Sequence, residues 1–271
     1  MSAWHSIVLG IVQGLTEFLP VSSSGHLVIA QKIFGLEPDL GFIVLVHLGT
    51  LLAVLAYFRK DIIDLVRGFF SGLMTMADEH PRAVYHSNTS FKLSCFLVLG
   101  TASTAVIALL FKDIFEGFFS SSLWVGFFLL VTGCVLVLAE LAGRGGRFPP
   151  QMNFLDSILI GAAQGLAIAP GLSRAGATIS AALALNLERK FAARFSFLLA
   201  IPAILGAGLL EMRSFSCSAD LPVMMLGMIS SFISGYLAIK FFMYVISRTS
   251  LRFFACYCFI VGALSITLSL L

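Results

Sequence analysis

The fold predicted from this sequence is all-α and polytopic in a membrane: six transmembrane helices plus two broken re-entrant helical hairpins, arranged as an inverted-topology repeat. Three observations predict it. Hydrophobic residues make up 59% of the chain and charged residues only 11%, with a mean hydropathy of +1.00, far outside the soluble globular range. Six long apolar stretches recur along the chain, and two further apolar regions are each interrupted midway. A short motif near the N-terminus returns 151 residues later.

The first region, 1–31, is broken at "LPVSSSGH" and reads as two short helices joined by a non-helical link. No basic segment precedes Gly10 to Ala30, so a cleaved signal peptide is not expected there. The stretches 41–58, 92–111 and 122–142 are each long and apolar enough to cross a bilayer. Between the first two, "DIIDLVRGFFSGLM" has the pattern of an amphipathic helix lying against the membrane. The second broken region, 154–187, carries "APGLSRAG", and 194–211, 222–243 and 253–271 are the remaining spans. Breaks at membrane depth are tolerated only where protein or water satisfies the freed backbone groups, so both regions are expected to be re-entrant hairpins.

Basic residues collect in cytoplasmic connections and so set the orientation. Arg59, Lys60, Arg67, Arg82 and Lys92 mark 59–91 as cytoplasmic; Arg144 with Arg147, then Arg189, Lys190 and Arg194, then Arg248 with Arg252 mark the other inner connections. Connections 32–40, 112–121 and 212–221 are then external, the first hairpin enters from outside and the second from the cytoplasm. "GIVQGL" from Gly10 returns as "GAAQGL" from Gly161, and the same offset carries Ser22 to Ser173 and Gly25 to Gly176. One membrane domain is therefore expected, built of a half over about 1–142 and an inverted half over about 154–271. Paired interrupted segments in matching halves point to the site between them.

At that meeting point the first hairpin brings Gln13, Glu17, Ser22, Ser23, Ser24 and His26, and the second brings Gln164, Ser173, Arg174 and Thr178. An arginine and a carboxylate within a membrane are costly unless paired or working. Gly25, Gly171 and Gly176 allow close backbone approach, and each helix after a break points its positive end at the same space. Hydroxyls, backbone amides and a guanidinium fork together suit a phosphate. Glu17 and His26 go beyond binding an anion and suggest catalysis or a divalent cation. His26 could activate a serine as nucleophile while Arg174 stabilises phosphoryl charge. Glu17 could orient His26, bind Mg²⁺ or Ca²⁺, or act as a base towards water, or Glu17 and Arg174 could be a structural pair. His47, Glu140, Glu211 and Lys240 are expected as interfacial or packing residues. The cysteines Cys95, Cys134, Cys217, Cys256 and Cys258 lack metal-ligand spacing and read as small core residues. A net charge of +3 with dispersed basic residues gives no nucleic-acid surface.

The two stretches "QGLTEFLPVSSSGH" and "QGLAIAPGLSRAGAT" resemble the signature motifs of the bacterial undecaprenyl-diphosphate phosphatase family, often called bacitracin-resistance proteins. The resemblance covers essentially the whole chain. It implies hydrolysis of undecaprenyl diphosphate to undecaprenyl phosphate and inorganic phosphate, which recycles the lipid carrier of cell-wall synthesis. It places the family's acidic motif on Gln13 and Glu17, where many members have Glu at both, and the serines and histidine on Ser22, Ser23 and His26. Ser23 is then the usual candidate nucleophile. The second motif falls on Pro170, Gly171, Ser173, Arg174 and Thr178, with Ala175 replacing a common Ser. It also implies a divalent-cation requirement, for which Glu17 is the candidate ligand of Mg²⁺ or Ca²⁺, and a site opening on the outer face of the cytoplasmic (inner) membrane.

The working expectation is that Ser23, His26 and Glu17 are catalytic, while Arg174, Ser173, Thr178, Ser22, Gly171 and Gln13 bind substrate. Arg174, Ser173, Thr178 and backbone N–H groups clamp the phosphates, Ser23 attacks, His26 shuttles the proton and Glu17 positions His26 or the cation. Direct attack by water, or by His26, stays open. The lipid substrate and the bilayer are the expected partners, with a second copy of the chain as a further candidate. The inverted repeat is also a transporter architecture, so a polyprenyl-phosphate flippase or anion transporter using the same pocket is the alternative.

Overall fold

The computed structural model describes residues 1–271 apart from 78–79, 81–83, 86, 119–120, 143–145, 212–220 and 271, and apart from the side chains of residues 112, 116 and 211. Among the described residues twelve α-helices follow one another: α1 (Ala3–Phe18), α2 (Ser23–Ile33), α3 (Leu40–Tyr57), α4 (Arg59–Thr75), α5 (Thr89–Leu110), α6 (Lys112–Phe118), α7 (Ser122–Ala142), α8 (Phe154–Leu166), α9 (Arg174–Ala184), α10 (Arg189–Glu211), α11 (Leu221–Val245) and α12 (Arg252–Leu270). Six of them, α3, α5, α7, α10, α11 and α12, are long and apolar enough to cross a membrane. Arg82, Arg144, Cys217 and most of the 212–221 connection lie outside the described residues.

Helices α2 and α9 have only 11 residues each, about 16 Å of rise against a hydrocarbon core of about 30 Å. Each hairpin therefore reaches roughly half-way and turns back. Helix α1 stops at Phe18 because Leu19 is extended ahead of Pro20, whose ring disfavours helical backbone in the residue before it. In the second hairpin the chain leaves α8 at Leu166 and enters α9 from Ser173 through a non-helical turn.

The packing repeats when the two halves are exchanged. Helix α1 lies along α11, and its counterpart α8 lies along α5; α3 packs on α11 as α10 packs on α5; α3 meets α10, and α7 meets α12. Each hairpin is thus held by the other half. Small residues let the backbones approach, as is usual where helices associate without a hydrophobic drive from the solvent. A Cβ on Gly14 would run into Ser231 and Ser234 of α11, and one on Gly161 into the Gly100 backbone of α5. Helix α4 is not only a surface element: Gly68 and Gly72 lie against Ser90 and Phe91 of α5, and the Ser94 hydroxyl donates to the Leu65 carbonyl at 2.9 Å. Its other face, with Ile63, Val66, Phe70 and Met74, stays exposed.

The span expected at 194–211 begins at Arg189, which is inside α10 rather than in a loop. Its guanidinium reaches Glu140 of α7 at 3.1 and 3.2 Å, and Glu140 also accepts the Leu251 N–H at 3.0 Å. Arg194 pairs with Asp61, and Arg147 with Asp156 at 2.6 Å. Glu140, expected as an interfacial or packing residue, thus ties three segments together. Towards the interior, Phe18, Phe58, Phe197, Phe242 and Phe254 form a chain of ring contacts spaced 5.4–6.2 Å directly behind the end of α1.

Gly161→Ala is expected to lower the thermal unfolding midpoint in detergent, by the equivalent of about 1–3 kcal/mol, because Gly100 is backbone and cannot yield. Gly208, with nothing within 4 Å of an added Cβ, is the control: Gly208→Ala is expected to leave stability unchanged or raise it by about 0.5–1 kcal/mol.

Candidate active site

The site grows out of the two helix starts that follow the breaks. Ser22 caps α2, its hydroxyl accepting the Gly25 N–H at 3.4 Å, and Ser173 caps α9 in the same way, accepting the Gly176 N–H at 3.0 Å. Serine is favoured there because its oxygen satisfies an otherwise orphaned donor. The first residues after these caps are Ser23 and Arg174. Ser22 has a φ of +70°, a left-handed backbone uncommon for any residue with a side chain. Gly171 has a φ of +95°, and a Cβ there would strike the Val125 carbonyl of α7. The hairpin tips touch: a Cβ built on Gly25 would lie 3.3 Å from the Gly171 Cα.

Glu17 is the hub. One carboxylate oxygen, Oε1, holds the Arg174 Nη2 across the two hairpins. The other, Oε2, accepts the Ser23 hydroxyl at 2.5 Å and the Gln13 amide at 2.9 Å, and the His47 Nε2 lies 3.9 Å from it. Glu17 and Gln13 are buried, at 7% and 0% exposure, so every charge and donor here must find a partner. Among the described residues, Arg174 Nη1 and Gln13 Oε1 are buried beside Glu17 without a hydrogen bond, as is Gln164 Oε1. A guanidinium nitrogen left without a partner, on an arginine that shares Glu17 with a serine hydroxyl at two helix N-termini, suits an incoming anion.

His26 is oriented differently from the expectation. Its Nδ1 sits 2.7 Å from the Ser22 carbonyl, which only accepts, so Nδ1 carries the hydrogen and Nε2 receives the Tyr257 hydroxyl at 2.8 Å. The two rings stack at 5.5 Å with 8° between their planes. Glu17 therefore does not position His26, and the Ser23 hydroxyl donates to Glu17 rather than to His26. Both corrections have one cause: α2 directs Ser23 back towards α1, while His26, three residues on, faces α12.

The expected phosphate clamps are also partly committed elsewhere. The Thr178 hydroxyl is fully buried and bonded to the Arg174 carbonyl at 2.9 Å and to Ser196 at 2.5 Å. Ser173 is occupied with capping, and its N–H donates to Thr132 at 3.0 Å, which in turn donates to the Gly171 carbonyl at 3.1 Å. These hydroxyls brace the backbone that carries Arg174. Gln164, the repeat partner of Gln13, bonds Thr104 at 3.2 Å and the Leu199 carbonyl at 3.3 Å.

The donor set does not fit a divalent cation held by protein alone. Both oxygens of Glu17 face cationic or N–H and O–H donors, and among the described residues no cluster of three or more His, Cys, Asp or Glu could hold a metal. Residues that the sequence did not assign to the site are His47, which it read as interfacial or packing, and Tyr257, Thr132 and Ser196. For His47 a signal existed, since an ionisable group within a span is rarely idle; the others have none in the local sequence.

The chain matches the model of the family described as bacitracin resistance protein BacA over residues 6–264. It is similar to proteins named undecaprenyl-diphosphatase from Methanosphaera stadtmanae, 42% identical over 97% of both chains, and from Desulfosudis oleivorans, 44% identical over 98% of both. A third, from Carboxydothermus hydrogenoformans, is 42% identical over 97% of this chain and 95% of its own. With that match running from α1 into α12 and taking in both helix breaks, the chain belongs to the bacitracin resistance protein BacA family.

Proposed function

We propose that this protein hydrolyses undecaprenyl diphosphate to undecaprenyl phosphate and inorganic phosphate at the hairpin tips. The observation that carries the reading is the Ser23 hydroxyl, 2.5 Å from a Glu17 carboxylate whose other oxygen holds Arg174. The names of the similar proteins point to the same substrate.

Arg174 Nη1 and the N–H groups at the starts of α2 and α9 bind the terminal phosphate and spread its charge. Ser23 Oγ attacks the terminal phosphorus as its proton passes to Glu17. A new O–P bond forms at Ser23, the bridging P–O bond breaks, and undecaprenyl phosphate leaves. Water then cleaves the phosphoserine, restoring the Ser23 hydroxyl and releasing inorganic phosphate. The sum is diphosphate and water going to two monophosphates and one proton. His26, with Nδ1 on the Ser22 carbonyl and Nε2 on the Tyr257 hydroxyl, holds the start of α2 against α12 and so keeps Ser23 in place.

The lipid tail stays in the bilayer, so only the diphosphate has to reach the site. The ion pairs Arg147–Asp156, Arg189–Glu140 and Arg194–Asp61 involve the ends rich in Lys and Arg, which the positive-inside rule puts in the cytoplasm. Ser23 and His26 are half-buried, and the Phe18–Phe197–Phe242 ring contacts back the site. This favours entry of the headgroup from the outer face of the cytoplasmic membrane. A divalent cation would be carried by the diphosphate, because the chain's own donors around Glu17 do not form a cage.

Phosphate release from undecaprenyl diphosphate in detergent is the direct test, and a folded parent that releases none would refute the reading. Ser23→Ala is expected to lower kcat by at least about 10³-fold with KM little changed, since it removes a group acting at the chemical step. Arg174→Lys keeps the charge against Glu17 but loses the fork, and is expected to cost about 10²-fold in kcat/KM without unfolding. Titration with Mg²⁺ is expected to show binding by calorimetry only when the lipid diphosphate is present; tight binding to the lipid-free protein would place the cation in the chain's own site.

A further inference from the structure

We propose that His47 is a positioning residue for this reaction, receiving through Glu17 the proton that Ser23 gives up. The inference deepens the phosphatase reading and rests on it.

His47 sits in the middle of α3, in an apolar span where an imidazole needs a reason. Its Nδ1 lies 2.8 Å from the Ile43 carbonyl. A carbonyl offers only lone pairs, so Nδ1 carries the hydrogen and the basic lone pair of the neutral ring is at Nε2. That nitrogen is the one turned to Glu17, 3.9 Å from Oε2. Oε2 is the same oxygen that accepts the Ser23 hydroxyl at 2.5 Å and the Gln13 amide at 2.9 Å.

Glu17 by itself is a poor resting place for a proton. Arg174 on Oε1 and two donors on Oε2 all favour its anion, so a proton arriving from Ser23 has to move on. Arg174 cannot take it, and Gln13 presents its amide hydrogens to Oε2. His26 is turned away, with Nε2 engaged by Tyr257. Among the described residues, His47 Nε2 is the basic lone pair turned to this oxygen, and at 30% exposure its side chain is not sealed within the protein. Closing the gap requires only that the ring approach by about 1 Å. Ser23 loses the proton, Glu17 carries it, and His47 becomes imidazolium until solvent takes it.

The test compares kcat and KM for undecaprenyl diphosphate in the parent, in His47→Gln, and in His47→Gln combined with Gln13→Glu. Glutamine keeps a similar size and polarity but takes no proton, so kcat is expected to fall by about 10²-fold with KM within about twofold. Gln13→Glu puts a titratable group back against the same Oε2 from the other side and is expected to recover at least about tenfold of that loss. In His47→Ala, imidazole is expected to restore turnover, whereas pyrazole, similar in volume but far less basic, does not. A His47→Gln variant with kcat within about threefold of the parent, or equal restoration by imidazole and pyrazole, would overturn the proposal. Neither result touches the phosphatase reading, which fails only if the parent itself releases no phosphate.

Discussion

The structure turns on one requirement: a carboxylate and a guanidinium at membrane depth have to find each other. Glu17 comes from the end of α1 and Arg174 from the start of α9, in hairpins that the chain separates by most of its length. Either charge alone would carry a large desolvation penalty, and removing one partner of such a buried pair typically costs about 3–5 kcal/mol. The pair can form only if both breaks arrive at one point. That explains the tight glycine contacts along α1 and α8, the capping serines, and the hydroxyl chain through Thr132 that fixes the Gly171 turn. Binding chemistry and folding chemistry are therefore the same contacts.

This double use also explains which polar groups stay free. Thr178, Ser173 and Ser22 have their hydroxyls engaged with backbone or neighbouring side chains, whereas Arg174 keeps one nitrogen unpartnered. A site that must bind and release a diphosphate needs few uncommitted donors, since each buried one costs free energy while the site is empty. Ser23 resolves the matter by donating to Glu17 at rest.

Much of this could be read from the chain. The six spans, the two broken regions and the meeting of Glu17 with Arg174 follow from hydropathy, from Pro and Gly at the breaks, and from the cost of isolated charges in a membrane. The partners of each group could not be read. Ser23 and His26 lie three residues apart on α2, which says they share roughly one side of a helix but not that one faces α1 and the other α12. His47 was expected to pack, because nothing near it in sequence marks it as facing a carboxylate 30 residues earlier. Tyr257 is further still, on the last helix. Such pairings depend on how the helices cross, and an apolar span carries little pattern that fixes its rotation: α3 is apolar almost all round.

Ser23 and Arg174 stand at matching positions of the two halves, each the first residue of its helix behind a capping serine. A two-fold axis relating the halves would therefore pass close to Glu17, which both residues contact. In an assembly of two identical chains that axis would impose the same residue on both sides, either two hydroxyls or two guanidinium groups facing each other. Fusing the halves into one polypeptide breaks that constraint, so one copy of the position can supply a nucleophile and the other a cation. One carboxylate, Glu17, thereby meets a hydroxyl from one half and a guanidinium from the other.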